Sequence, residues 1–152
     1  MEKQNKQEKY QRLEAQVKNL VEGEKNIVGI LANVSAALKE EMDYFWVGFY
    51  LVDNGELVLG PFQGSVACYR IGFGKGVCGT SWKRGETLVV KDVEAFPGHI
   101  ACSSLSRSEV VVPVFDDEGK VGAVLDIDST ELAAFDETDK EYLERIVKLI
   151  RF

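Results

Sequence analysis

Residues 121–129 read VGAVLDIDS, and their alternation decides how the chain is built. Successive side chains of a strand point to opposite faces of its sheet. Val121, Ala123, Leu125 and Ile127 therefore share an apolar face, while Gly122, Val124, Asp126 and Asp128 share the other. Two carboxylates beside small residues describe the wall of a polar pocket, whereas the apolar face describes a core. Residues 44–52, YFWVGFYLV, divide in the same way. Phe45, Val47, Phe49 and Leu51 make an apolar face suited to helices, and Trp46, Gly48 and Tyr50 look away from it.

Outward from these two strands, Asp53-Asn54-Gly55 supplies turn residues and ELVLG the returning strand of a hairpin. ACYRIGF reads as a third strand, GVCGTSWKRG as one or two helical turns, and TLVVK as a fourth strand. EAFPGHIACSSLS is a long connection carrying Pro97 and Gly98. SEVVVPVF and KVGAVLDI are the last two strands, joined by the turn residues Asp116-Asp117-Glu118-Gly119. Toward the start, Tyr10, Leu13, Val17, Leu20 and Val21 recur at helical spacing, which predicts an amphipathic helix over residues 7–22. Gly23 interrupts it, and a second helix presents Ile27, Ile30, Leu31, Val34 and Leu38 on one face. A final helix begins at Asp136, a good N-cap residue, and carries Tyr142, Leu143, Ile146, Val147 and Ile150.

These elements predict an α+β fold. Its centre is a six-stranded, mostly antiparallel sheet, with the N- and C-terminal helices on one face and a ligand pocket on the other. The terminal helices either bundle within the domain or serve a homodimer contact.

The 152 residues suit one domain spanning 1–152, with a single substantial core. A formal charge of -7 disfavours nucleic acid and anionic membrane surfaces, both of which select basic faces. No apolar run approaches the roughly 20 residues of a spanning helix. The start, MEKQNKQEKYQ, lacks the apolar segment of a secretory signal, so a cytoplasmic location is expected. In that compartment cysteines are more often reduced or catalytic than structurally paired.

The three cysteines, Cys68, Cys78 and Cys102, are spaced by 10 and 24 residues. There is no CxxC pair and His99 is the one histidine, so neither a zinc cluster nor a thioredoxin-type motif is read here. Cys68 in a strand reads most simply as core, since free cysteine is among the most buried residue types. Cys78 sits in a Gly-rich turn before a short helix, as packing or as a helix-start thiol of lowered pKa. Cys102 is the best nucleophile candidate, in a long loop flanked by Ala101, Ser103 and Ser104. His99 is either an aid to its ionisation or a surface histidine.

Taken in order, GPFQGSVACYRIGFGKGVCGT, GHIAC, SEVVVPVF and VLDIDS resemble the free methionine-(R)-sulfoxide reductases, single-domain enzymes of the GAF fold. The resemblance implies that Cys102 attacks the sulfoxide sulfur and that Cys68 resolves the intermediate as a disulfide. Cys78 matches the third family cysteine, an alternative attacking or resolving thiol. Trp46 resembles the aromatic that packs on the substrate's S-methyl end, and Glu109, Asp126 and Asp128 the acidic pocket. No bound cofactor is implied, with thioredoxin as the external reductant.

The residue types suit that chemistry. A sulfoxide needs its oxygen protonated before a thiolate can displace it, and crowded carboxylates hold a proton at neutral pH. The same negative pocket would hold the ammonium of a free amino acid. Two other readings are a non-enzymatic GAF sensor of a small ligand and a thiol redox switch.

Overall fold

Asn54 and Gly55 set the first register. Both have positive φ (52° and 84°), the geometry of the two-residue turn whose twist matches that of paired strands. They join β1 (Trp46–Asp53) to β2 (Glu56–Gln63), leaving Asp53 opposite Glu56. The remaining strands are β3 (Arg70–Gly72), β4 (Leu88–Val90), β5 (Ser108–Phe115) and β6 (Val121–Ser129). They lie in the order β3-β2-β1-β6-β5-β4, with every pairing antiparallel. The computed structural model describes residues 2–100 and 102–152. Ala101, read as part of the Cys102 loop, lies outside the described residues.

Three helices cover one face. In α1 (Glu2–Val21), Tyr10, Leu13 and Val17 are fully buried at helical spacing, while Leu20 falls off the stripe and is exposed. The α2 helix (Ile27–Met42) starts where the Asn26 side chain accepts a hydrogen bond from the Gly29 N–H, and buries Ile30, Leu31, Val34 and Leu38. The closing helix α4 (Glu137–Val147) begins with a reciprocal cap between Asp136 and Asp139. Asp139 is itself buried. It accepts from the Tyr10 hydroxyl at 2.5 Å and from Lys6 Nζ at 2.8 Å, which clamps α1 to the start of α4. Val47, Phe49, Ala123, Leu125 and Ile127 face these helices, as the alternation requires.

Two positions depart from the alternation. Phe45 precedes β1 and packs on the opposite face, so it does not share a side with Val47. Val121 also lies on that face. The pairing jumps from Val114↔Ala123 to Phe115↔Val121, so Gly122 is an extra residue on β6 and parity inverts beyond it.

The second face carries a smaller cluster, including Trp46, Tyr50, Val77, Val111 and Val124, beneath α3 (Gly76–Arg84). The sequence reading of this region changes in three ways. The third strand contracts to residues 70–72, which leaves Cys68 in a loop. The Gly-bounded turn extends to a nine-residue helix. A 3-10 turn (Val93–Ala95) breaks the long connection before Pro97. No helix among the described residues is long and apolar enough to cross a membrane.

Candidate active site

Strand register brings three carboxylates together. Asp128 on β6 lies opposite Glu109 on β5 and opposite Trp46 on β1, so one row across the sheet holds an acid, an acid and an indole. Asp126 is two residues along, between Val111 and Gly48. With no side chain on Gly48, Phe62 and the Trp46 ring close over that strand position, where a Cβ would overlap both.

Cys78 is delivered from above by the first turn of α3, with its Sγ 3.9 Å from Glu109 Oε2. The roof is made by two loops, one carrying Ser65, Val66 and Ala67 and the other His99, Ile100, Cys102, Ser103 and Ser106. A disulfide between Cys68 and Cys102, with Cα atoms 5.5 Å apart, joins them. Together these parts enclose a cavity of about 50 Å³ lined by Trp46, Cys78, Cys102, Glu109, Asp126 and Asp128.

Of the residues singled out in the sequence, Cys68 alone does not line this cavity; it meets the cavity through its bond to Cys102. Cys78 remains a free, buried thiol. Trp46 is fixed on both sides: its indole N–H donates to the Ser65 carbonyl at 2.9 Å, and its ring stacks on Phe62 at 5.1 Å between centroids.

Burial sets the electrostatics. Glu109 is pushed well above the ordinary carboxylate range, first by loss of water and then by the charges of Asp126 and Asp128. Asp128 rises for the same two reasons, burial and the Asp126 charge. Asp126 is also raised by burial. Hydrogen bonding with Glu109 and Cys78, and the nearby His99, restrain it. The Cys78 thiol is driven up by burial and by the same acids. Crowded carboxylates favour shared protons, so the cluster holds acid above the ordinary carboxylate range.

Several contributors carried little signal in sequence. His99, weighed as a surface residue, lines the cavity, and its Nδ1 is buried without a hydrogen-bond partner. Tyr50 donates its hydroxyl to the Cys68 carbonyl at 2.9 Å and so fixes the backbone of the paired cysteine. Its place on the Trp46 face was legible; the loop it reaches was not. Ser65 and Lys75 enter through loops that no periodicity describes.

A six-stranded antiparallel sheet, helix-covered on one face and roofed over a small chamber on the other, is the GAF architecture. The family model for the GAF domain matches residues 24–152. The chain belongs to the GAF-domain family and, within it, to the free methionine-R-sulfoxide reductases. It is 44% identical over 154 residues to a Saccharomyces cerevisiae protein of that name, covering 96% of this chain and 86% of the relative. It is 56% identical over 147 residues to "GAF domain-containing protein A" of Dictyostelium discoideum, covering 96% and 92%. Among solved structures, the Neisseria meningitidis free methionine-R-sulfoxide reductase in complex with its substrate superposes with a TM-score of 0.89 at 56% identity. That match covers 92% of this chain and 84% of the other.

Proposed function

We propose that the protein reduces free L-methionine-(R)-sulfoxide to methionine with Cys102 as nucleophile, Cys68 as resolving thiol and the Glu109–Asp126–Asp128 cluster as acid. The observation that carries this reading is one chamber holding both the Cys102 side chain and three proton-storing carboxylates, with Cys102 already bonded to Cys68.

The steps balance as follows. The cluster protonates the sulfoxide oxygen, and the Cys102 thiolate attacks the sulfur. Methionine leaves and Cys102 keeps the oxygen as a sulfenic acid. Cys68 displaces that oxygen as water, closing the disulfide. A dithiol protein such as thioredoxin then returns both thiols by exchange, and its own pair is oxidised.

Recognition of the free amino acid divides by charge. The acids attract the ammonium. Lys75 lines the chamber at the start of α3, whose first turn has no side-chain cap, so its N–H groups and positive dipole end suit the carboxylate. Trp46 offers an apolar face to the methyl end. A chamber of about 50 Å³ is far below the several hundred Å³ of pockets that enclose such ligands. Substrate therefore enters the reduced form, in which the roof loops are not tied together.

The test is thioredoxin-coupled NADPH oxidation with free L-methionine-(R)-sulfoxide. Wild type should turn over, Cys102→Ser should be inactive, and Cys68→Ser should yield a single equivalent of methionine and then stall. No turnover by wild type, or equal rates on peptide-bound sulfoxide, would refute the proposal.

A further inference from the structure

The spacing of the cysteines along the chain shows no metal motif, yet the fold assembles one. Cys78 from α3, Glu109 from β5 and Asp126 from β6 each place a ligand atom within 4.8 Å of the other two, and all three residues are buried. A tetrahedral zinc ion, with Zn–S about 2.3 Å and Zn–O about 2.0–2.2 Å, separates its sulfur and oxygen ligands by roughly 3.6 Å. The Cys78 Sγ to Glu109 Oε2 distance is 3.9 Å, so that edge of the tetrahedron is nearly formed.

The second observation is independent of this clustering. Among the described residues, two buried side-chain polar atoms have no hydrogen-bond partner, Asp126 Oδ1 and His99 Nδ1. Both belong to residues lining this one chamber, and Asp126 is only 7% exposed. Buried polar atoms in folded proteins are nearly always satisfied, so two orphans facing one space mark a place for a ligand. Asp126 Oδ1 is an acceptor and suits a cation, whereas His99 lies outside the 4.8 Å group and is not one of its ligands. The donor set of one thiolate and two carboxylates, with the soft sulfur of Cys78, selects a borderline-soft divalent ion over Mg²⁺ or Ca²⁺, which take oxygen ligands.

We propose that Cys78, Glu109 and Asp126 form a Zn²⁺ site with an open fourth position inside the catalytic chamber, filled in competition with the sulfoxide substrate. Binding displaces the thiol proton, and any proton shared by the carboxylates, to solvent; no electrons move. The metal would occupy the acids that protonate the sulfoxide, so zinc would inhibit a reductase that uses them. That competition clause rests on the proposed function, whereas the site itself does not.

The experiment uses the oxidised protein, in which Cys68 and Cys102 are tied up and Cys78 is the remaining thiol. Metal-free oxidised protein is titrated with Co²⁺ and followed by its thiolate-to-cobalt charge-transfer absorption. The expected result is one equivalent bound, with a band that Zn²⁺ abolishes by displacement and that Cys78→Ser lacks. Asp126→Asn, a near-isosteric change, should retain the band but weaken cobalt binding at least about tenfold. In the double variant Cys68→Ser/Cys102→Ser, whose roof is untied and in which Cys78 is again the remaining thiol, free methionine sulfoxide should lower the band as it displaces the ion. Absence of the band in folded wild type, or its survival in Cys78→Ser, overturns the site. A band in that double variant indifferent to methionine sulfoxide overturns the competition. Since the titration does not consult activity, a protein that reduces no sulfoxide would leave the site standing.

Discussion

Gly48→Ala tests whether the site is built on strand packing as described. A Cβ at Gly48 would lie 2.2 Å from Phe62 Cβ, 2.8 Å from Phe62 Cα and 2.9 Å from Cη2 of Trp46. Carbon atoms in contact rest at about 3.5 Å or more, so the closest overlap is roughly 1.3 Å, the difference between 3.5 and 2.2. Phe62 is the direct partner of Gly48 in the β1–β2 ladder, so its Cα and Cβ cannot swing away as a side-chain tip would. The alternatives are to push β2 outward or to lose the pairing. Either places the cost at the upper end of overpacking, about 3 kcal/mol. For a chain of this size that corresponds to a fall in Tm on the order of 6–12 °C. The Trp46 ring must move too, which loosens its stack on Phe62. Urea denaturation followed by tryptophan fluorescence measures the first effect. KM for methionine sulfoxide with a small-molecule dithiol as reductant measures the second, and should rise. A variant within about 0.5 kcal/mol of wild type and with unchanged KM would refute the packing argument.

Three further outcomes are expected. Tyr10→Phe removes the hydroxyl that joins Tyr44 to Asp139 at 2.5 Å each, which orphans one buried hydroxyl and weakens a buried carboxylate's partners. Stability should fall by about 1–3 kcal/mol in urea, and a loss under 0.5 kcal/mol would sink the clamp. Glu109 binds its proton more tightly folded than unfolded, so the folded state holds more protons and stability declines as pH rises from about the ordinary 4.5 toward the raised value. Glu109→Gln should flatten that decline by up to about 1.4 kcal/mol per pH unit, and parallel wild-type and variant curves would exclude it. The Cys68–Cys102 bond closes a loop with a sequence separation of 34, worth about 3.8 kcal/mol by chain entropy. Reduction by dithiothreitol should therefore lower the denaturation midpoint of wild type but leave Cys68→Ser unmoved.

Much of this arrangement was legible from alternation, and the reason is geometric. A period of two places Asp126 and Asp128 on one face of β6, and antiparallel register sets Glu109, which the family resemblance singled out, opposite Asp128. The hairpin turn and the Asp136 cap were legible because their residue types are dictated by backbone conformation. What stayed hidden depends on contacts between distant segments. Nothing local marks Gly122 as a bulge, because the extra residue is defined only against β5. His99 and Ser65 reach the chamber along loops without periodicity, so their place at its wall follows from where α3 and the disulfide hold those loops. The Cys78–Glu109–Asp126 grouping is likewise absent from any spacing rule, since its members come from three separate elements.

The two sheet faces divide stability from chemistry. Among the described residues, the helix-covered face gathers 23 buried apolar side chains and the site face 10, so the larger share of burial lies away from the chamber. Each fully buried aliphatic or aromatic side chain contributes about 1.5–3 kcal/mol. That surplus offsets carboxylates which the site face buries at a loss, since their ionised forms are desolvated and mutually repelled. Because α1, α2 and α4 anchor the other side of the same strands, the acids' positions do not depend on the roof above them. The roof can then differ between redox states while the acid row stays fixed. The proposed entry of substrate through an untied roof requires this separation, because a roof stiff enough to hold the acids would also exclude the substrate.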